Sequence, residues 1–210
     1  MLTTGCPDLD KHFTYSNSIN CIYGKGATGK TNLCLLLASK LGKNKKIAFI
    51  DTENGFSPER IDQLNNKNSL NNILVIQVNN FNEQHKAILN LLKMKDLINI
   101  VIIDSLSMHY RKELQEKNPE TNNLLSKQFN ILSELTNNNI PVIITCQVYS
   151  KLDNTIEPIG SNMIRNWSKC IIKLEQNDKR TLTLEKHPEL GPKTINFTIK
   201  NNGIFIENFK

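Results

Sequence analysis

The sequence has no apolar stretch long enough to cross a bilayer, and its most hydrophobic runs, NIVIID and IPVIITC, are only strand-length. The opening MLTTGCPDLDKHF lacks a basic region followed by an apolar run, so no secretory leader is expected. The protein reads as cytoplasmic, with no membrane partner. Cysteine is sparse and unpatterned. Cys6, Cys21, Cys34, Cys146 and Cys170 are odd in number, form no C-x-x-C pair and have no histidine at metal spacing. That argues against a disulfide framework or a zinc module and leaves reduced, mostly buried thiols. Internal repeats, interdomain linkers and a disordered composition are also missing: 39% of residues are hydrophobic and 22% charged. The 210 residues are read as one domain, 1–210. Acidic residues are outnumbered, giving a formal net charge of +6, which permits binding to a polyanion and equally suits a plain solvated surface.

What is present is an alternation of short apolar runs with helix-period segments. INCIY leads into a Gly-rich loop, and KTNLCLLLASKL then repeats its apolar residues at helical spacing until Gly42. KIAFID is a second buried-type run, followed by SPERIDQL, where Ser57 and Pro58 suit a helix cap and first turn. ILVIQV, the helix candidate NEQHKAILNLLKMK and NIVIID continue the pattern. Alternation of this kind predicts a parallel sheet covered by helices on both faces. The polar stretch Ser107–Thr121 reads as a long loop, then a helix over NNLLSKQFNILSELTNN, the strand IPVIITC and a second long loop, Tyr149–Asn162. From Trp167 onward SKCIIKLE, RTLTLEKH, TINFTI and GIFIENF are separated by polar turns, and Asn201 to Gly203 form a hairpin signal. An antiparallel extension of the sheet is expected there.

Gly24, Lys25, Gly26, Ala27, Thr28, Gly29, Lys30 and Thr31 fit the spacing G-x-x-x-x-G-K-[ST], with Asn32 next in the helix. Backbone N–H groups at such a strand-to-helix turn face nucleotide phosphates, so ATP is the expected ligand. Lys30 is expected on the β and γ phosphates and the Thr31 hydroxyl on Mg²⁺. Asp104, closing the apolar run IVIID, supplies the second metal-side carboxylate at the carboxyl end of a strand. In many related ATPases a glutamate follows that aspartate directly and orients the attacking water; here the residue is Ser105. The carboxylate must come from another strand, and Glu53 in FIDTENG is the candidate base.

With the phosphate loop, DTENGFSPERI, IIDSLSMHYR and PVIITCQV, the chain resembles the ATPase core of the RecA-like strand-exchange recombinases over nearly its whole length, most of all the RadB family of short archaeal paralogues. The resemblance implies a RecA-like P-loop core. It implies that Glu53 orients the water, that Arg60 touches the adenine ring, and that Gln147 senses the γ phosphate and moves the loop that follows; taken alone, Gln147 is an ordinary strand-end polar group. It places single-stranded or branched DNA against the two long loops, with Arg111, Lys112, Lys151 and Arg165 as contacts, although Glu113, Glu116, Glu120, Asp153 and Glu157 dilute the cations. The resemblance places Lys186 and His187 where a neighbouring subunit's nucleotide would sit in a homo-oligomer; taken alone, they are an exposed strand-end pair. The resemblance also implies that a helical DNA-binding domain and a full second loop are missing. The expected function is therefore a DNA-binding accessory of recombination and repair with weak ATPase activity, beside a main recombinase or a Holliday-junction nuclease. A P-loop signalling ATPase or small-molecule kinase is the other class; Ser107–Asn162 contains no arginine-rich lid of the kind such kinases carry.

Overall fold

A computed structural model describes residues 1–64 and 67–207. Its centre is a nine-stranded sheet in the order β11-β10-β9-β8-β1-β5-β4-β2-β3. The strands are β1 (Ile19–Gly24), β2 (Ile47–Asp51), β3 (Ile73–Gln77), β4 (Ile100–Asp104), β5 (Val142–Cys146), β8 (Cys170–Gln176), β9 (Arg180–Lys186), β10 (Lys193–Lys200) and β11 (Gly203–Ile206). From β3 across to β8 every pairing is parallel, while β8, β9, β10 and β11 pair antiparallel. The expected antiparallel extension is present and starts one strand later than the turn pattern implied, because β8 lies parallel to β1. Asn201 and Asn202 make the hairpin between β10 and β11. Asn208 and Phe209 of GIFIENF lie outside the described residues.

The remaining elements are α1 (Pro7–Asp10), α2 (Lys30–Leu41), α3 (Pro58–Gln63), a 3-10 turn (Lys67–Asn72), α4 (Phe81–Lys93), α5 (Ser107–Gln115), α6 (Thr121–Asn137), the strands β6 (Val148–Ser150) and β7 (Ile156–Pro158), and α7 (Ser161–Trp167). Strands β1, β2, β4 and β5 are buried at every position, as their unbroken apolar sequences require of a sheet covered on both faces. One face packs on α2, with Leu33 and Leu37 meeting Ile22, Phe49 and Ile102. The other packs on α4 and α6, where Ile88, Phe129 and Leu132 meet Ile50, Ile103 and Ile144. Removing this apolar area from water is the main driving force of the fold.

The helix start expected at Ser57 and Pro58 is present, and α4 carries a second cap at Asn80. Ser57 accepts a hydrogen bond from the Arg60 amide at 3.0 Å, and Asn80 accepts one from the Glu83 amide at 2.9 Å while Glu83 returns to the Asn79 amide at 2.9 Å. Each cap contributes about 1 kcal/mol. The two predicted long loops are corrected. Ser107–Gln115 is helix α5, held because His109 and Tyr110 turn into the core beside Phe81. The second segment is a small antiparallel hairpin, with Val148 opposite Pro158 and Ser150 opposite Ile156, and it runs on into α7.

Candidate nucleotide and metal site

Because β1, β2, β4 and β5 are parallel, their carboxyl ends meet on one side of the sheet, with Asp51 in register with Asp104 and Tyr23 with Cys146. The phosphate loop follows β1 at that edge, Asp104 closes β4, Glu53 follows β2 and Gln147 follows β5, whereas Arg60 lies on α3. Gly24 passes so close to β8 that a Cβ there would lie 2.3 Å from the Leu174 carbonyl oxygen, so no larger residue fits. Ala27 at φ 62° and Gly29 at φ 112° turn the backbone into the concave form that gathers N–H groups. Helix α2 starts at Lys30, directly after Gly29, with no side chain capping its first turn. The first N–H groups of a helix have no partner inside it, and here the free donors sit at the positive helix end, which fits a phosphate.

Lys30 Nζ donates to the carbonyls of Gly24 and Lys25, both at 2.9 Å, and is thereby held across the mouth of the loop. Burial draws its ammonium below the ordinary value, against the opposing charges of Asp104 and Glu53. Thr31 Oγ1 donates to Asp104 Oδ2 at 2.7 Å, and the hydroxyl of Thr145, from the next strand, donates to Oδ1. Burial pushes the Asp104 carboxyl above its usual range; the two hydroxyls pull it back, and Glu53 and Asp51 add to the rise. A threonine hydroxyl and a carboxylate at this separation are hard oxygen donors suited to Mg²⁺, which usually takes few protein ligands and completes its shell with water and phosphate. Among the described residues no cluster of three or more His, Cys, Asp or Glu side chains is placed to cage a metal by itself.

Beside this pair lies a network around Glu53. Its Oε1 accepts from Ser105 Oγ at 2.6 Å and from Gln147 Nε2 at 2.9 Å. Gln147 Oε1 accepts in turn from Arg111 Nη1 at 3.4 Å, and the Gln147 amide is fixed by Ser107 Oγ at 2.7 Å. Asp51 does not face the site. It folds the following turn by accepting from the amides of Glu53, Gly55 and Phe56. Strand β2 is separated from β1 by β4 and β5, so Glu53 approaches from across the sheet and not from an adjacent strand. Arg60 is engaged with Asn32 Oδ1 at 3.1 Å and with the carbonyls of Lys200 and Asn201 at 2.9 and 2.8 Å, which ties α3 to the β10–β11 turn.

Of the four cations expected at DNA, Arg111 and Lys112 are exposed on α5, whereas Lys151 and Arg165 are engaged with a carboxylate. Lys151 and Arg165 both pair with Glu157 on β7, at 3.2 and 2.8 Å, and Ser161 Oγ donates to the same carboxylate at 2.8 Å. Burial alone would raise the Glu157 carboxyl, but hydrogen bonds from Arg165, Ser161 and Lys151 hold it at about 2. Arg165 also reaches Glu185 at 3.4 Å, whose other oxygen accepts from the Tyr23 hydroxyl at 2.7 Å, so the network ends beside Gly24. Lys112 projects outward from α5. Tyr110 is buried, its hydroxyl on Asn122, whereas Tyr149 on β6 is 45% exposed and shares a concavity of about 310 Å³ with Arg111, Leu114 and Ile159. Lys186 donates to the Arg165 carbonyl at 2.8 Å, and His187 bridges the Thr14 carbonyl and the amides of Glu189 and Leu190. Sequence reasoning missed Thr145, a lone hydroxyl in an apolar strand, and Ser105, seen there only as a departure.

A phosphate loop after the central strand, a metal-side aspartate two strands away and a carboxylate from a third strand define a RecA-like P-loop ATPase core. A Rad51 family model matches residues 1–207. The DNA repair and recombination protein RadB of Methanococcus maripaludis is 37% identical over 201 residues, covering 91% of this chain and 92% of the relative. RadB of Methanocaldococcus jannaschii is 36% identical over 197 residues, covering 90% and 92%. A crystal structure of the RadB recombinase superposes with a TM-score of 0.81 at 31% identity, over 97% of this chain and 98% of that one. The chain belongs to the Rad51 family, within its RadB group of DNA repair and recombination proteins.

Proposed function

We propose that this chain is an ATP-binding, DNA-binding accessory protein of homologous recombination and repair, with weak Mg²⁺-dependent ATPase activity and no strand exchange of its own. It would act beside a main recombinase or a nuclease of branched DNA. The observation that carries the reading is the chain of hydrogen bonds from Glu53 through Gln147 to Arg111, at 2.9 and 3.4 Å, which joins the phosphate side of the site to the cationic helix α5. The names of the RadB relatives as DNA repair and recombination proteins support the same assignment.

The loop amides and Lys30 would bind the phosphates. Thr31 and Asp104 would hold Mg²⁺, which when bound neutralises charge on the phosphate oxygens. Glu53, with Oε1 tied to Ser105 and Gln147, keeps Oε2 to orient a water and take its proton as that water bonds to the γ phosphorus and the bond to the β-phosphate oxygen breaks. Glu53 is exposed at the rim, and a base left in contact with bulk water favours slow turnover. A change at Gln147 would be felt by Arg111 and by the β6–β7 hairpin, whose Ile159 amide bonds to the Gln147 carbonyl at 2.9 Å. Nucleotide would then shift the population between two arrangements of the α5 and hairpin surface. Tyr149 offers a planar face for a base and Arg111 and Lys112 offer cations, while Lys151 and Arg165 are held by Glu157. So compact a hairpin supports binding more than strand exchange.

The test is DNA binding across single-stranded, duplex and branched substrates with ATP, ADP or neither, at two salt concentrations. Tighter binding with ATP, and a salt slope reporting a few phosphate contacts, is expected. No binding at low salt in any nucleotide state overturns the reading.

A further inference from the structure

We propose that Ser105 is a positioning residue for ATP hydrolysis, holding Glu53 in its working orientation independently of Gln147. The inference rests on the proposed ATPase reading and adds to it a residue with no role in phosphate or metal binding. Ser105 occupies the place directly after the metal-side aspartate where many related ATPases carry the water-orienting glutamate. Here that place delivers a hydroxyl, and the hydroxyl reaches the glutamate that comes from β2 instead: Ser105 Oγ donates to Glu53 Oε1 at 2.6 Å.

The backbone around Ser105 is fixed from both sides. Its amide donates to Thr52 Oγ1 at 2.8 Å, the Thr52 hydroxyl donates to the Ser105 carbonyl at 2.9 Å, and the Thr52 amide donates to the Asp104 carbonyl at 3.0 Å. Ser105 is 1% exposed and Thr52 6%, so these bonds form away from competing water. The ends of β2 and β4 are thus stitched together directly behind Glu53, and the serine hydroxyl projects from that seam.

Gln147 shares the same carboxylate oxygen, but its position differs. It is half-buried, its amide also lies 3.2 Å from Met108 Sδ, and it begins the segment that leads into the hairpin. A side chain that relays a signal must be able to leave Glu53. A carboxylate with one fixed and one releasable donor keeps its direction through that change, and Oε2 stays available for water. A charge-assisted bond from a rigid donor suits this task, since a small loss of aim at the attacking group costs a large factor in rate.

The test is a double-mutant cycle on the full chain, using Ser105→Ala, Glu53→Gln and the pair, with single-turnover hydrolysis of γ-labelled ATP at excess protein, steady-state kcat and KM, binding of a fluorescent ATP analogue, and thermal melts. Ser105→Ala is expected to lower kcat roughly ten- to a hundredfold, the rate equivalent of losing a hydrogen bond to a charged group, with analogue binding and KM within about twofold of wild type. In the Glu53→Gln background the same change should have no further effect on rate, a non-additivity that a general loosening of the fold would not produce. Ser105→Cys, nearly isosteric and a weak donor, repeats the test should the alanine variant fold poorly. If Glu53→Gln is inactive but the Ser105 variants turn over ATP as wild type does, or if the effects add, this inference alone is overturned. If wild type shows no turnover, or Glu53→Gln matches it, the ATPase reading fails and the inference with it.

Discussion

Replacing Glu157 by glutamine should loosen the β6–β7 hairpin in a way that depends on pH. Its carboxylate collects Arg165, Lys151 and Ser161 at 2.8, 3.2 and 2.8 Å and is held at about 2 from an ordinary 4.5. A carboxyl depressed in the fold stabilises it fully above its unfolded value, and that contribution disappears as pH falls through the folded value, here between about 4.5 and about 2. The full depression corresponds to roughly 3 kcal/mol. Arg165 and Lys151 are 40% and 46% exposed, so solvent screening reduces this to roughly 1–2 kcal/mol. A domain of this size shifts its Tm by about 2–4 °C per kcal/mol, which puts the loss for Glu157→Gln near roughly 3–6 °C at pH 7. Thermal melts of both proteins from pH 7 to pH 3 measure the gap, which should stay constant down to about 4.5 and narrow below it, where the unfolded chain's carboxyl protonates and the folded one does not. Amide exchange should quicken in Val148–Pro158 before it does in β8. A gap that stays constant down to pH 3 would refute the reasoning, since the glutamate would then be acting through shape and not through charge.

Asp104→Asn imposes the neutral form that burial already favours, so the nucleotide-free Tm should stay within about 3 °C of wild type, while the Mg²⁺-dependent part of ATP stabilisation disappears. At ATP a hundredfold above its dissociation constant that stabilisation is about 2.7 kcal/mol, or roughly 5–10 °C for wild type by scanning fluorimetry with MgCl2 against EDTA. Because the Asp104 carboxyl is raised, protonation favours the nucleotide-free fold and opposes the metal, so the Mg²⁺ effect should also weaken as pH falls. Gln147→Ala should leave fluorescent-nucleotide binding unchanged and erase the difference between ATP and ADP in DNA affinity; a preserved difference would place the relay elsewhere. Arg60→Ala should speed amide exchange at the β10–β11 turn, where the guanidinium holds two carbonyls, and lower the affinity for ATP more than for inorganic triphosphate; equal losses for both would deny it a role at the base.

The central strands, α2, α4 and the phosphate loop were readable because each is written locally: unbroken apolar runs for a sheet buried on both faces, a 3.6-residue period for a helix, and glycines where the backbone must turn or approach another strand. Asp104 and Glu53 followed from strand ends, where parallel order carries side chains to one edge. Helix α5 was hidden since SMHYRKELQ has little apolar period. What fixes it is tertiary: Tyr110 on Asn122 of the next helix and His109 on the Val78 carbonyl beyond β3. The hairpin was hidden for the same reason, because its strands are three residues long and are braced by Glu157, Arg165 and Glu185 across three separate elements. Strand order was not legible either, since alternation predicts a parallel sheet without saying which strands are neighbours. Thr145 and Ser105 show the limit most clearly: a hydroxyl carries no signal in sequence until its partner across the sheet is known.

The position of β1 has a consequence for how the protein is made. Its two neighbours are Val142–Cys146 and Cys170–Gln176, both formed by chain that leaves the ribosome well after Gly24. The wall against which Gly24 rests, the Leu174 carbonyl, is among the last parts of the parallel sheet to be synthesised. A nascent chain therefore displays GKGATGKT long before it can hold that loop in shape, and ATP affinity should emerge abruptly once β8 is available, with the slow assembly typical of long-range parallel pairing. On the proposed reading, nucleotide binding would also report that translation has carried the fold past its centre.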